Sequence, residues 1–227
     1  MATVRAARCV LALVVALALA LGRGAAAAAR VSLGKAGATS AAGGVVASQR
    51  AAAAGPSYPR PDPMQKASMA RWLVHESTWG ALATTSVHLN GSAFANILSI
   101  SDGDTNDATG HIYFYLSAMD PTAGQDLPKD ARATLAISEE PLGCKNDAED
   151  PTCGKAMISG RMRELSKGSD EHDAATAALY ARHPQMKAWP EGHGFAPWTL
   201  DIEQIMLLDF YGGAAFIAAA DYYAAKP

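Results

Sequence analysis

Asp102, Asp104 and Asn106 open like a calcium-binding loop, with side-chain oxygens at alternate positions. The pattern then leaves that chemistry. Asp107 stands where such a loop needs glycine and Tyr113 where it needs a bidentate glutamate, so a solvated hairpin loop is expected and no metal is assigned. His75, His88, His111, His172, His183 and His193 are scattered, with none at a zinc-ligand spacing such as H-E-x-x-H. No Gly-x-Ser-x-Gly elbow, phosphate loop or Gly-x-Gly-x-x-Gly follows a strand-like segment, and no catalytic residue is assigned. Between Arg71 and Lys129 there is no lysine or arginine at all. An anion held there must rely on hydroxyls and backbone N–H groups, each roughly half as strong as a charge-assisted donor.

Cys144 and Cys153 close a short loop rich in Asp, Lys, Pro and Gly. An even pair in such a loop suits a disulfide in an oxidising lumen, the alternative being two unpaired thiols. Residues 1–30 read as an export signal. Arg5 and Arg8 precede an apolar run, Cys9–Leu21, too short to span a bilayer, and small residues from Gly24 to Ala29 offer cleavage sites. A plastid transit peptide is the second choice. Residues 31–62 are rich in Ala, Gly and Ser and read as a disordered spacer. The sequon Asn90-Gly91-Ser92 makes Asn90 a glycosylation candidate, and Asn-Gly is also a hairpin-turn signal.

Charge divides near Pro61. Residues 1–60 contain Arg5, Arg8, Arg23, Arg30, Lys35, Arg50 and Arg60 but none of the 22 acidic residues. The remainder is strongly acidic, which argues against nucleic acid as a partner. No second apolar stretch is long enough to cross a membrane. Residues 63–227 are enough for one domain with a real core.

Within that domain, helical spacing predicts a helix over Met64–Glu76, and Thr- and Val-rich runs predict a hairpin of Trp79–Leu89 with Phe94–Ile100. Alternation predicts strands over Ile112–Ser117 and Ala131–Ser138; a longer strand is expected over Lys155–Leu165 after the cysteine loop, and a last strand over Ile205–Tyr211. A helix over Asp170–Arg182 is predicted from the Ser169 N-cap, acids in the first turn and Pro184 beyond its end. Many antiparallel strands with few helices imply an α+β barrel.

Several stretches together carry a family resemblance: Trp79-Gly80-Ala81-Leu82-Ala83-Thr84, Leu98-Ser99-Ile100-Ser101-Asp102-Gly103 and Tyr113-Phe114-Tyr115-Leu116-Ser117. To these are added the cysteine pair, Arg182-His183-Pro184-Gln185-Met186-Lys187-Ala188-Trp189-Pro190, Leu208-Asp209-Phe210-Tyr211-Gly212-Gly213 and Tyr222-Tyr223. The chain resembles the CREG secreted glycoproteins, a branch of the FMN-binding split-barrel superfamily that includes pyridoxamine phosphate oxidase. That resemblance implies a mostly antiparallel split β-barrel with a few flanking helices, assembled as a homodimer with its pocket at the interface. It also implies an exported glycoprotein of the extracellular space or a lysosome or vacuole, active in growth control and without its ancestral flavin.

In the superfamily, basic residues on the second and third strands grip the flavin phosphate. Here the corresponding region offers Ser99, Ser101, Tyr113, Tyr115 and Ser117, while Lys129, Arg132 and Lys187 are the cations able to lean in and Trp189 an aromatic wall. Ordinary strand hydroxyls are the favoured reading of the first five. Trp189, Trp198, Phe210 and Tyr211 read as core or dimer interface before they read as a cofactor wall. The expectation is a non-catalytic protein that binds an unidentified protein receptor, with no cofactor. The rival is an FMN-dependent oxidoreductase, and haem in the same pocket is a third reading.

Overall fold

The computed structural model describes residues 56–227. The signal-peptide reading of 1–30, and the spacer as far as residue 55, lie outside the described residues. The spacer's end, 56–62, is attached to the domain. A helix α1 (Lys66–Glu76) follows it, and the Glu76 carboxylate accepts from the backbone N–H of Ser57 and of Tyr58, at 2.9 and 2.8 Å. Trp72 Nε1 donates to the Tyr58 carbonyl. The ordered domain thus begins before the compositional boundary at 63.

The strands are β1 (Trp79–Thr85), β2 (Ala93–Ser101), β3 (Tyr113–Ser117), β4 (Arg132–Ser138), β5 (Lys155–Glu164), β6 (Phe195–Leu208) and β7 (Ala215–Ala218). The seven run in the order β3-β2-β1-β4-β5-β6-β7, and β3 also pairs with β6, which closes a six-stranded antiparallel barrel with β7 as an appended edge. Helix α2 (Leu127–Lys129) ends the connection before β4, α3 (Asp170–Arg182) joins β5 to β6, and α4 (Ala219–Ala224) ends the chain. This is the α+β barrel expected from the strand alternation.

Closure needs β5 to bend. A bulge between Ser159 and Gly160 shifts its register with β6, and a Cβ on Gly160 would lie 2.1 Å from the Asp201 carbonyl oxygen. Inside the barrel, Leu82, Ile100, Phe114, Leu135, Ile158 and Ile205 are fully buried, and α1 adds Met69, Trp72 and Leu73 to the same core. Burial of each large side chain stabilises by about 1.5–3 kcal/mol. Helix α3 packs on the outer face of β3 through a smaller cluster, Tyr113, Leu165, Ala175, Leu179 and Met186. Its N-cap is Ser169, whose hydroxyl accepts from the His172 N–H.

Two expected elements differ. The strand expected over Ile205–Tyr211 begins at Phe195 and ends at Leu208, because its first half pairs with β3 as well as β5. The Asn90-Gly91 turn lies within a longer loop. Both residues have positive φ (55° and 88°), yet the strands stop at Thr85 and Ala93, leaving an exposed tip.

Candidate functional site

The odd residues of β3 face outward, since Phe114 and Leu116 point into the core. The hydroxyls singled out from sequence therefore share an outer surface without converging. Ser101 is buried; its Oγ lies 2.8 Å from the Ala178 carbonyl of α3 and accepts from Gly103 N–H. Tyr113 is buried beneath α3, where loss of solvent raises its pKa above the usual 10.0. Ser99 sits opposite Trp79 in the β1–β2 ladder. Ser117 Oγ donates to the His193 carbonyl at 2.7 Å. Lys187 lies over the Tyr180 ring at 5.8 Å.

Tyr115, Ser117 and Trp189 do come together. With Phe195 and Asp120 they line an open cleft of about 370 Å³. The Tyr115 ring stacks on Phe195 (5.3 Å between centroids, 16° between planes) and on Trp189 (5.9 Å, 28°), while Trp189 and Phe195 lie 4.8 Å apart. The Tyr115 hydroxyl is turned away to Tyr180, 3.1 Å off. Burial, reinforced by that hydrogen bond, pushes its pKa up to about 12. Phe195 and Asp120 were not singled out from sequence; neither carries a local motif, and only the β3–β6 pairing, Ser117 opposite Phe195, brings the first into place.

A larger groove of about 1530 Å³ runs from Ser77 and Trp79 past Gly80 and Ala136 to Met157 and Lys155. Of its two cations, Lys155 Nζ donates to the Glu149 carbonyl at 2.7 Å, while Arg182 Nη2 donates to the His75 carbonyl and its buried Nη1 has no protein partner. The aromatic cleft does not fit a flavin phosphate. The hydroxyls at Ser101 and Ser117 are engaged, and the lining of the aromatic cleft contains no cation.

Beyond the groove lies a buried polar network that sequence reading overlooked. Arg71, nearly inaccessible, donates to the carbonyls of Ala108, Tyr222, Tyr223 and Ala225 and lies over the Tyr222 ring. His75 Nδ1 lies 2.7 Å from Asp102 Oδ1, and Asp102 Oδ2 accepts from Gly110 N–H. Asp102 therefore ties the 102–110 loop to α1 rather than opening a calcium site.

Cys144 and Cys153 face each other with Cα atoms 5.7 Å apart, a separation that a disulfide spans. Glu139 completes the one cluster of potential metal ligands among the described residues. Its oxygens already accept from Arg60 and from Gly154 N–H. Asn90 is exposed at the β1–β2 loop tip.

One row of the outer sheet surface is apolar from end to end. Cross-strand partners run Ile97, Ala81, Ala136, Met157, Met206 and Phe216. Ile97 and Phe216 at its ends are 62% and 66% exposed.

Comparison with known proteins agrees with this architecture. The family model described as "CREG, beta-barrel" matches residues 61–224. Human protein CREG2 is 39% identical over 173 residues, covering 74% of this chain and 59% of the relative. Mouse protein CREG1 is 38% identical over 161 residues, 68% of this chain and 72% of the relative. The chain thus spans about three fifths of the human CREG2 length. Among solved structures, a heme binding protein from Mycobacterium smegmatis aligns with a TM-score of 0.60 at 22% identity, covering 74% of this chain and 63% of that one. Campylobacter jejuni ChuZ aligns at 0.52 with 13% identity, covering 73% and 63%. These structural likenesses bear on the fold. The family match over nearly all the described residues, on a closed six-stranded barrel, makes this chain a member of the CREG β-barrel family.

Proposed function

We propose that the chain is a glycoprotein of the secretory route, delivered outside the cell or to a lysosome or vacuole. It acts as a homodimer through protein contacts, in growth or differentiation control, and carries out no chemistry of its own. The observation that carries this reading is the apolar row from Ile97 to Phe216. Outward-facing positions on a sheet are ordinarily polar, and a contiguous apolar strip of this kind supports a protein interface. A second copy presenting the same row satisfies two-fold self-complementarity, and an unidentified receptor then binds the assembled pair. The engagement of Ser101 and Ser117 within the fold supports the non-catalytic half of the reading. Export is supported by the leader composition, the facing cysteines and the exposed Asn90.

The test is the mass in solution and the absorbance spectrum of the native protein purified from its own compartment. A colourless dimer that takes up no added FMN is expected. Stoichiometric flavin would replace this reading with an FMN-dependent oxidoreductase, and a Soret band with a haem binder. A monomer would remove the homodimer.

A further inference from the structure

The cleft beside β3 is lined mainly by aromatic and apolar side chains. Its floor is three half-buried aromatic rings, Tyr115, Trp189 and Phe195, and its rim is polar only at Asp120 and Ser117. The rings touch one another, with centroids 4.8 to 5.9 Å apart, and no gap between facing rings is left to enclose a cation. They present a shelf instead of a cage. The one phenolic hydroxyl is turned to Tyr180, so the rings line the cleft with carbon surface.

The rim accepts more than it donates. Asp120 Oδ1 receives the Thr122 N–H at 2.7 Å and Oδ2 receives the Asn96 Nδ2 at 3.2 Å. Each oxygen keeps a lone pair, and the two fixed donors hold the carboxylate in one orientation. The Ser117 proton is committed to the His193 carbonyl. With no Lys, Arg or His in the lining, and with a carboxylate present, the cleft repels phosphate and carboxylate ligands.

We propose that this cleft binds one pyranose ring of a neutral saccharide. Such a ring carries a patch of C–H groups on one face, which lies on the aromatic shelf. Its hydroxyls around the edge donate to Asp120. The cleft of about 370 Å³ accommodates a sugar residue with its neighbours running out over exposed Pro190. The binding is lectin-like, separate from the apolar row and from the larger groove.

The experiment is a titration of the full purified chain with methyl α-mannoside, methyl β-glucoside, methyl β-galactoside, N-acetylglucosamine and their short oligomers. Tryptophan emission and amide chemical shifts are followed. Saturable binding of at least one sugar is expected, with a dissociation constant on the order of 1 mM, fitting a small shallow site. Trp189→Ala and Asp120→Asn should each weaken it at least tenfold, and Trp79→Ala should leave it unchanged. If Trp189→Ala lowers the melting temperature, Asp120→Asn and Phe195→Leu carry the comparison. No saturable response to any sugar overturns the proposal. So does binding that survives these cleft variants, or a stronger response to tetramethylammonium or inorganic phosphate.

Discussion

Glu139 grips Arg60 with both carboxylate oxygens, at 2.5 Å from Oε1 to Nε and 3.0 Å from Oε2 to Nη2. Oε2 also accepts from Gly154 N–H, the residue after Cys153. One buried carboxylate thus joins the segment before α1, the end of β4 and the cysteine loop. The pairing raises the Arg60 pKa above its ordinary value, through the hydrogen bond to Glu139.

Glu139→Ala should destabilise the domain by roughly 2–4 kcal/mol, because it leaves the Gly154 N–H buried without an acceptor and the guanidinium unpaired. In melting temperature that is a fall of roughly 4–16 °C. Arg60→Ala should cost less, about 1 kcal/mol, since its side chain is 30% exposed. Thermal denaturation of both variants checks this; two melts matching the native one would refute it.

Acid should weaken the fold through His183. Burial lowers its pKa below the ordinary 6.5, and the adjacent Arg182 charge acts in the same direction, against the hydrogen bond with the Ile100 carbonyl. The unfolded chain therefore binds the proton first as pH falls. The contribution to stability is complete above 6.5 and declines as pH drops from there through the folded value. Urea unfolding from pH 7 to pH 5 should show the decline, and His183→Gln should flatten it. An identical slope in the variant would exclude His183 as the source.

Replacing Cys144 by serine should lower stability by roughly 2–3 kcal/mol, the loop-entropy value for a link of this length. Reduction of the native protein should produce a similar loss. If dithiothreitol leaves the unfolding midpoint unchanged, the two cysteines are not linked.

Ala136 stands in the middle of the apolar row and is exposed. Ala136→Arg should convert the proposed dimer to a monomer at micromolar concentration while leaving the melt of the single chain nearly unaltered. Light scattering after size exclusion reads the outcome. A dimer that persists in the variant would move the interface elsewhere.

Asn90→Gln should remove one glycan's mass from the protein recovered from a secreting cell. An unchanged mass would mean that the sequon is unused.

The fold was legible where local pattern and tertiary structure agree. Helix α3 runs from Asp170 to Arg182 as its caps dictate, β4 follows from alternation, and β5 occupies the strand expected after the cysteine loop. The first half of β6 was missed because Pro197 and the buried run Pro197–Leu200 give no period of two; both of its faces are covered where β3 pairs with it. Strand β7 and helix α4 were not anticipated because they are short and alanine-rich, and Arg71 carbonyl contacts with Tyr222 and Ala225 help secure the chain end. Candidate site residues were legible only as types. Ser101 and Ser117 look alike in sequence, yet one is clasped by α3 and the other lies on the rim of an open cleft.

Strand β6 is hydrogen-bonded to β3, β5 and β7, three strands made at very different times. A ribosome that has reached Glu164 has produced five strands whose outer members, β3 and β5, still await their shared neighbour. Both rims of that nascent sheet stay open to pairing with other chains until Phe195–Leu208 emerges. Any pause or truncation between those points therefore yields an adhesive half-barrel, and correct maturation depends on whatever shields the two rims in the meantime.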